Sequence, residues 1–436
     1  MISWNPAQVA EAAGASLVAG GGGGGPVRAV IDNRNVEPGD LFVGLVGEHV
    51  DGGRFAAAAL EAGAWGVLVR PEHVVSSGGA VLTADDPLLA LQRLATAWRR
   101  ELDAAVIGVT GSVGKTSTKE LIAALIRPHR RVAANRANFN TEIGLPLAIL
   151  DAPEGTEVLV LEMDMRGFGQ IDELARIAEP DVGVITNIGP VHVELVGSLA
   201  GVAKAKAELL EHVPIAIVPA DAPELEPYLR EGLDVVRFGT DVMLEDFDPP
   251  HVSILARELS VRLDVPFTAR HQLVNLLAAV AAAQAVGVEP NGRVDVRFGA
   301  LRGERLELAN GVVVINDCYN ANPLSMRAAL DDLATQAPTG RRVAVLGDML
   351  ELGAGETEAH REIGAYASTS GVELLVAVGP LSAAMADAFD GEVLRAADAA
   401  SAASLVAGVV RSGDVVLVKA SRGIGLETVA EALARG

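Results

Sequence analysis

A single cysteine, Cys318, stands among the 436 residues. No intramolecular disulfide can form and no Cys-rich zinc site can be assembled, which suits a reducing cytoplasm. Aromatic side chains make up only 3% of the chain, too few for a platform that stacks nucleic-acid bases. Cations are scarce as well: 35 Lys and Arg stand against 57 Asp and Glu, a formal net charge of −22. That balance disfavours nucleic acid or an anionic membrane as partners, so any bound anion must be held by local devices. No uncharged apolar run is long enough to span a bilayer. The most apolar stretch, Leu276 to Val288, is Ala-rich and broken by Gln284 and Gly287, and reads as a buried helix. The first positive side chain is Arg28, so the basic region of a signal peptide is missing. These absences predict a soluble, cytoplasmic chain, expected to act as a monomer.

What is present divides into three blocks, as the length suggests at about 150 residues per domain. The first covers residues 1–103 and contains six consecutive glycines, Gly20 to Gly25, expected as a flexible loop. Short strands follow at Val27–Ile31 and Val67–Val69, and a helix at Pro87–Arg99 closes the block. The second, 104–308, repeats strand, loop and helix, the pattern of a parallel sheet. The third, 309–436, alternates again, with strands at Val312–Ile315, Arg342–Leu346, Leu374–Val378 and Val415–Val418 between Ala-rich helices.

The strongest chemical signal opens the second block. A strand at Ala105–Thr110 runs into Gly111-Ser112-Val113-Gly114-Lys115-Thr116-Ser117 and then a helical pattern. Glycines let backbone N–H groups turn inward around phosphate oxygens, and the helix start adds partial positive charge. Lys115 is placed to reach the β- and γ-phosphates and Thr116 to ligate Mg²⁺. The longer P-loop pattern asks for glycine where this chain has Val109, so the match is to the G-x-x-G-K-T core. A second strand, Val158–Leu161, ends in Glu162, a carboxylate at the sheet edge where open α/β sheets bind ligands.

A third strand, Val182–Thr186, leads into a loop carrying His192. A helix over Leu199–His212 follows, with Ser198 as N-cap. Lys204 stands four residues before Glu208 and reads as half of an exposed ion pair. Lys206 shares a face with Val202, Leu209 and Leu210 and should point inward. A buried lysine is costly unless it has a task; otherwise its stem snorkels.

Taken together, these motifs resemble the Mur ligase family, the ATP-dependent amide ligases of peptidoglycan synthesis. The resemblance runs through DNRNVEPGDLFVGLVGE (32–48), TGSVGKTSTKE (110–120), NFNTEIGLP (138–146) and EMDMRGFGQI (162–171). It continues through TNIGPVHVELVGS (186–198), AKAKAEL (203–209), HQLVN (271–275), NDCYNANPLSM (316–326), LGDMLELG (346–353) and VKASRG (418–423). The N-A-N-P and LGDMLELG segments resemble the branch that adds D-alanyl-D-alanine to a UDP-N-acetylmuramoyl-tripeptide. The D-N-P-R motif of the diaminopimelate-adding branch is absent. A sibling ligase adding the third amino acid, a folylpolyglutamate synthase, and a P-loop module that only hydrolyses ATP are the competing readings.

The resemblance implies a three-domain α/β fold: a small UDP-binding domain, a P-loop ATPase domain on a parallel sheet, and a Rossmann-like C-terminal ligase domain. It implies a first Mg²⁺ on Thr116 and Glu162, and a second on His192 and Lys206, the lysine carbamylated by CO₂ into an anionic oxygen ligand. Asn275 would lie on the adenine side, Asp317 on the ribose, and Arg305 would reach the nucleotide from the hinge. Asp32 and Arg34 fall in the UDP-binding motif. Asn138, Asn140, Asn320, Asn322 and Asp348 are placed on the peptide and D-alanyl-D-alanine side. Lys115, Lys206 and His192 are the expected catalytic groups. Cys318 fills a position more often serine and reads as a small packing residue, and His360 as either an amine-site or a solvated helix residue.

Overall fold

The computed structural model describes residues 4–21, 23–76, 78–136, 138–191 and 193–435. They form three sheets, of five, ten and six strands. In the first, Ser16–Ala19, Ala80–Thr83, Gly66–Val69, Leu41–Val43 and Ala29–Val30 lie side by side. Only the Ser16–Ala19 edge is antiparallel. Gly20, Gly21 and Gly23 to Gly25 lie in neither helix nor strand, and Gly22 is outside the described residues. The Trp65 indole donates to the Gly24 carbonyl at 2.9 Å.

The helix closing the first block runs Pro87–Leu102, started by Asp86, whose side chain accepts from two backbone N–H groups. Ala90, Leu91, Leu94 and Trp98 form its buried stripe, at the 3–4 residue spacing of an amphipathic helix. This stripe packs on the next block as well as its own. Trp98 donates to the Ala152 carbonyl (3.1 Å), Gln92 to Glu173 (2.8 Å), and Arg99 to the carbonyls of Ala178 and Glu179. The same buried cluster therefore holds residues from Val9 to Val213.

The second sheet is only partly parallel. Val132–Ala134, Val158–Glu162, Ala105–Thr110, Val182–Ile185, Ile215–Pro219 and Asp234–Phe238 are parallel neighbours in that order. Val242–Asp248, His251–Ala256 and Leu259–Asp264 then extend it as an antiparallel meander, where the sequence pattern led us to expect further strand–helix units. The physical reason lies in the connections. Arg257 and Glu258 both have positive φ, 45° and 74°, which makes a two-residue hairpin turn; a parallel crossover needs a dozen residues or more. The apolar stretch from Leu276 lies on the helix Arg270–Ala285, whose residues Leu276 to Ala283 are all buried.

In the third sheet the order is Glu304–Glu307, Val313–Asn316, Val415–Lys419, Arg342–Gly347, Leu374–Val378 and Glu392–Ala396. All but the first pair are parallel. This sheet thus begins with a strand before residue 309. No helix among the described residues is long and apolar enough to cross a membrane.

Candidate active site

The strand Ala105–Thr110 is buried between parallel neighbours, and its carboxyl end delivers Gly111 to the sheet edge. Gly111 and Gly114 take φ of 145° and 80°. A Cβ on Gly111 would stand 1.9 Å from Thr186 Oγ1, and one on Gly114 would stand 2.6 Å from Asn275 Oδ1. Only glycine fits at either point. The loop is then clamped from the neighbouring strand end. Thr186 Oγ1 and Asn187 Nδ2 donate to the Val113 carbonyl (2.6 and 3.0 Å), and Val113 N donates to Asn187 Oδ1 (2.9 Å). The Ser112 hydroxyl donates to the Gly189 carbonyl and accepts the Gly189 N–H. The T-N-I-G segment therefore gives the phosphate loop its shape.

Lys115 opens the helix Lys115–Ile126. Its ammonium lies 3.0 Å from the Gly111 carbonyl and 3.0 Å from Asp164 Oδ1. One residue on, the Thr116 hydroxyl donates to Glu162 Oε2 at 2.7 Å in a buried contact. Asn140 Nδ2 donates to Glu162 Oε1 at 3.0 Å. Behind Glu162, Asn135 accepts its N–H and donates to its carbonyl, at 2.8 and 2.9 Å. Lys119, buried to 99%, lies 4.0 Å from the carboxylate and donates to the Asn135 carbonyl. A hydroxyl and a carboxylate fixed side by side at a sheet edge are a hard oxygen donor pair of the kind Mg²⁺ prefers.

Lys206 is fully buried on the helix Leu199–Ala207, which Ser198 caps. Its Nζ has no hydrogen-bond partner among the described residues. Burial, then the charge of Lys115, depress its pKa to about 7, against a smaller opposing pull from Asp164. Lys204 does not pair with Glu208. It lies 5.5 Å over the Phe168 ring, while Glu208 accepts the N–H groups of Gly169 and Asp172. That is the inward and outward division expected of the two lysines. His192 lies outside the described residues.

A cavity of about 320 Å³ opens over the phosphate loop. Ser112 to Ser117, Asn140, Glu162, His271, Asn275 and Asp317 line it. Asn275 comes from the buried helix, where it donates to Gln272. Asp317 comes from the third sheet and is held by Lys419, whose ammonium also donates to the Asn320 carbonyl. Arg305 does not line this cavity. It is bonded to Gln336 and to Asp332, a wall residue. Arg302 faces the cavity instead, 3.8 Å over the Tyr319 ring.

A second cavity of about 680 Å³ adjoins the first and shares Lys115, Thr116, Arg302, Tyr319, Asn320 and Asn322 with it. Asn138 lies on its wall and accepts the Tyr319 hydroxyl at 2.7 Å, a bond from the third block to the second. Asn322 caps the helix Pro323–Thr335, and Asn320 accepts the Ala321 N–H. Asp348 lines neither cavity; it is buried and accepts the Ser382 N–H at 2.7 Å. Asp32 and Arg34 sit apart, in the first block, paired with each other at 2.6 Å. The guanidinium holds the Asp32 carboxyl at about 2.

His360 is not solvated, and it lines neither cavity. It is fully buried; Nε2 accepts the Met349 N–H at 2.9 Å, so Nδ1 donates to the Glu356 carbonyl. His360→Ala should lower stability by about 2–4 kcal/mol, through a cavity and an orphaned N–H. Denaturant unfolding measures this, and an unchanged midpoint would contradict it. Cys318 is buried with its thiol toward the Val418 carbonyl, and burial pushes its pKa up to about 12, as a packing residue requires.

Sequence reasoning did not single out Asn135, Lys119, Asn187, Asp164, Tyr319 and Lys419. Asn187 and Lys119 were legible in part, as neighbours of the phosphate-loop motifs. Asn135 carried no signal, because its partner Glu162 is 27 residues away.

A P-loop nucleotide cleft walled on its far side by a second α/β layer defines a class of ATP-using enzymes that assemble their site between domains. Residues 29–100 match the Mur ligase family catalytic domain, 109–283 the Mur ligase middle domain, and 301–422 the Mur ligase glutamate ligase domain. The chain is 37% identical, over 92% of each chain, to a UDP-N-acetylmuramoyl-tripeptide–D-alanyl-D-alanine ligase of Bacillus subtilis. It is 32% identical, over 92% of each chain, to the enzyme of that name from Escherichia coli K12. Among solved structures it resembles MurF from Acinetobacter baumannii, with TM-score 0.88, 28% identity and 99% of both chains covered. It also resembles MurF ligase from Thermotoga maritima in complex with ADP, with TM-score 0.82, 29% identity, and 94% and 97% covered. The chain belongs to the Mur ligase family.

Proposed function

We propose that this chain joins D-alanyl-D-alanine to UDP-N-acetylmuramoyl-tripeptide, with ATP cleaved to ADP and phosphate, in the cytoplasm and as a monomer. The observation that carries this reading is the pair of adjoining cavities. One is built on the phosphate loop, the other on the N-A-N-P and LGDMLELG segments, and Lys115 and Thr116 stand at their junction. A bare ATPase has no use for the second cavity.

The UDP end would rest on residues 1–103, through Asp32 and Arg34. ATP would lie between 104–308 and 309–436, with Asn275 on the adenine and Asp317 on the ribose. Residues 111–117 would wrap the phosphates and Lys115 would offset their charge, while Arg305 would have to leave Asp332 to reach them. The tripeptide carboxylate attacks the γ-phosphorus, ADP leaves, and an acyl phosphate forms. The amine of D-alanyl-D-alanine, arriving neutral, attacks the acyl carbon; phosphate leaves and an amide remains. Asn138, Asn140, Asn320 and Asn322 would orient the peptide ends, and Asp348 would act only indirectly, through the Ser421 N–H that its carbonyl accepts. The Tyr319–Asn138 bond helps to hold two domains together over an intermediate that water would destroy.

Thr116 and Glu162 would hold one Mg²⁺, and Lys206, as a carbamate, with His192 a second. When bound, such cations neutralise charge on the transferring phosphoryl group. Lys206 suits that part because a buried amine without a hydrogen-bond partner among the described residues, with a pKa near 7, is substantially neutral at physiological pH, and only the neutral amine adds to CO₂. Phosphate release should need both UDP-tripeptide and D-alanyl-D-alanine. A coupled phosphate assay checks this, and release that ignores either substrate would contradict it.

A further inference from the structure

One wall of the second cavity carries Leu350, Leu352 and Arg422, to which the proposed chemistry assigns no role. Three loops of the C-terminal domain form it, and they are tied into one unit. The Ser421 hydroxyl accepts the Leu350 N–H (2.9 Å) and donates to the Ala321 carbonyl (3.3 Å), and Ser421 N donates to the Asp348 carbonyl (3.1 Å). Between Leu350 and Leu352, Glu351 takes a φ of 63°, a left-handed conformation that is strained for a residue with a side chain. This turn brings both leucines to the cavity, and Arg422 stands on the loop beside them.

Among the described residues three cationic side chains line the cavity, and they are not equivalent. Lys115 and Arg302 also line the nucleotide cavity, where the proposed reaction places the phosphates. Arg422 belongs to the second cavity alone. Its Nη1 donates to Glu427 at 2.8 Å, which anchors the guanidinium; among the described residues the rest of its donor fork makes no other hydrogen bond. The acceptor of the proposed reaction is an amine at one end and a carboxylate at the other, with two methyl groups between. Its amine must reach the acyl phosphate, at the Lys115 end. An extended dipeptide then carries its carboxylate about 7 Å further on.

We infer that Arg422 receives the acceptor's terminal carboxylate, and that Arg422 with Leu350 and Leu352 makes the enzyme select a small apolar dipeptide bearing a free acid. The inference rests on the proposed ligation. Arg422 is a specificity residue, remote from the bonds that form and break. Its removal should therefore raise KM for the acceptor and spare kcat.

The test compares D-alanyl-D-alanine with its C-terminal amide at saturating ATP and UDP-tripeptide. The wild-type enzyme should show a KM for the amide about tenfold or more above that for the acid, as loss of a charge-assisted contact implies. In Arg422→Gln the acid's KM should rise toward the amide's, with kcat within about threefold of wild type, so the ratio falls toward one. Arg422→Lys should restore part of the preference. An unaltered ratio in Arg422→Gln, or a fall in kcat at constant KM, would overturn the assignment. The wild-type ratio is decisive even if a variant does not fold, since equal KM values for acid and amide overturn the inference alone. A wild-type protein that joins neither dipeptide overturns the proposed function, and the inference with it.

Discussion

Replacing Lys206 with alanine should reduce ligation by about a thousandfold or more, the size expected when a buried ionic group at a phosphoryl-transfer site is lost. Short carboxylates added to this variant should restore part of the activity, because the cavity left by the side chain can admit an anionic oxygen donor in place of the carbamate. Lys204→Ala should stay within about twofold of wild type, as that side chain only covers the exposed Phe168 ring. A readout independent of turnover is ¹³C-bicarbonate, which should give a carbamate resonance in the wild-type protein that Lys206→Ala lacks. Stability should move the other way. In the absence of CO₂, a depressed lysine pKa is a cost of folding. The cost is full below the folded value of about 7, where the folded protein must hold the proton in a dry site. It shrinks as pH rises from about 7 toward the unfolded value, and is gone above it. Lys206→Met should therefore stabilise the protein by about 2 kcal/mol or more at pH 6, and by less at pH 9. Equal unfolding midpoints of the two proteins at both pH values would contradict this.

Lys115→Ala should abolish turnover, with kcat down by about a thousandfold or more, while the fold survives. The reason for the separation is visible in the loop. Its shape is set by Thr186, Asn187 and the Ser112–Gly189 pair, and among the described residues Lys115 contributes one bond to a carbonyl and one ion pair. Thermal unfolding of the variant should stay within a few degrees of wild type. A global unfolding on this change would mean that the ammonium, through Gly111 and Asp164, holds the loop together, and the division between shape and charge would fail.

Several elements of this arrangement were legible without coordinates, for reasons that can be named. The strand Ala105–Thr110, the phosphate loop and Glu162 are local signals: an apolar run, glycines where the backbone must turn, and a carboxylate at a strand's carboxyl end. Burial of Lys206 followed from helical periodicity alone. Contacts between distant segments were not legible. Nothing near Asn135 announces that it brackets Glu162, and nothing near Tyr319 announces Asn138. The antiparallel meander is not legible, because buried apolar positions look alike in parallel and antiparallel strands; the deciding feature is the two-residue turn at Arg257 and Glu258. The place of His360 is not legible, because a helix histidine next to a loop has three possible surroundings and only packing chooses among them. The net charge of −22 says nothing against a nucleotide site, because the proposed holders of phosphate are local ones, backbone N–H groups and Lys115.

The most direct test of the central claim is the mass of the product. Purified protein is incubated with ATP, Mg²⁺, UDP-N-acetylmuramoyl-tripeptide and D-alanyl-D-alanine, and the UDP-linked species are analysed by mass spectrometry. The account predicts UDP-N-acetylmuramoyl-pentapeptide, formed together with equal amounts of ADP and phosphate. Conversion of ATP with the tripeptide unchanged, or addition of a single amino acid to a shorter precursor in preference to the dipeptide, would contradict it.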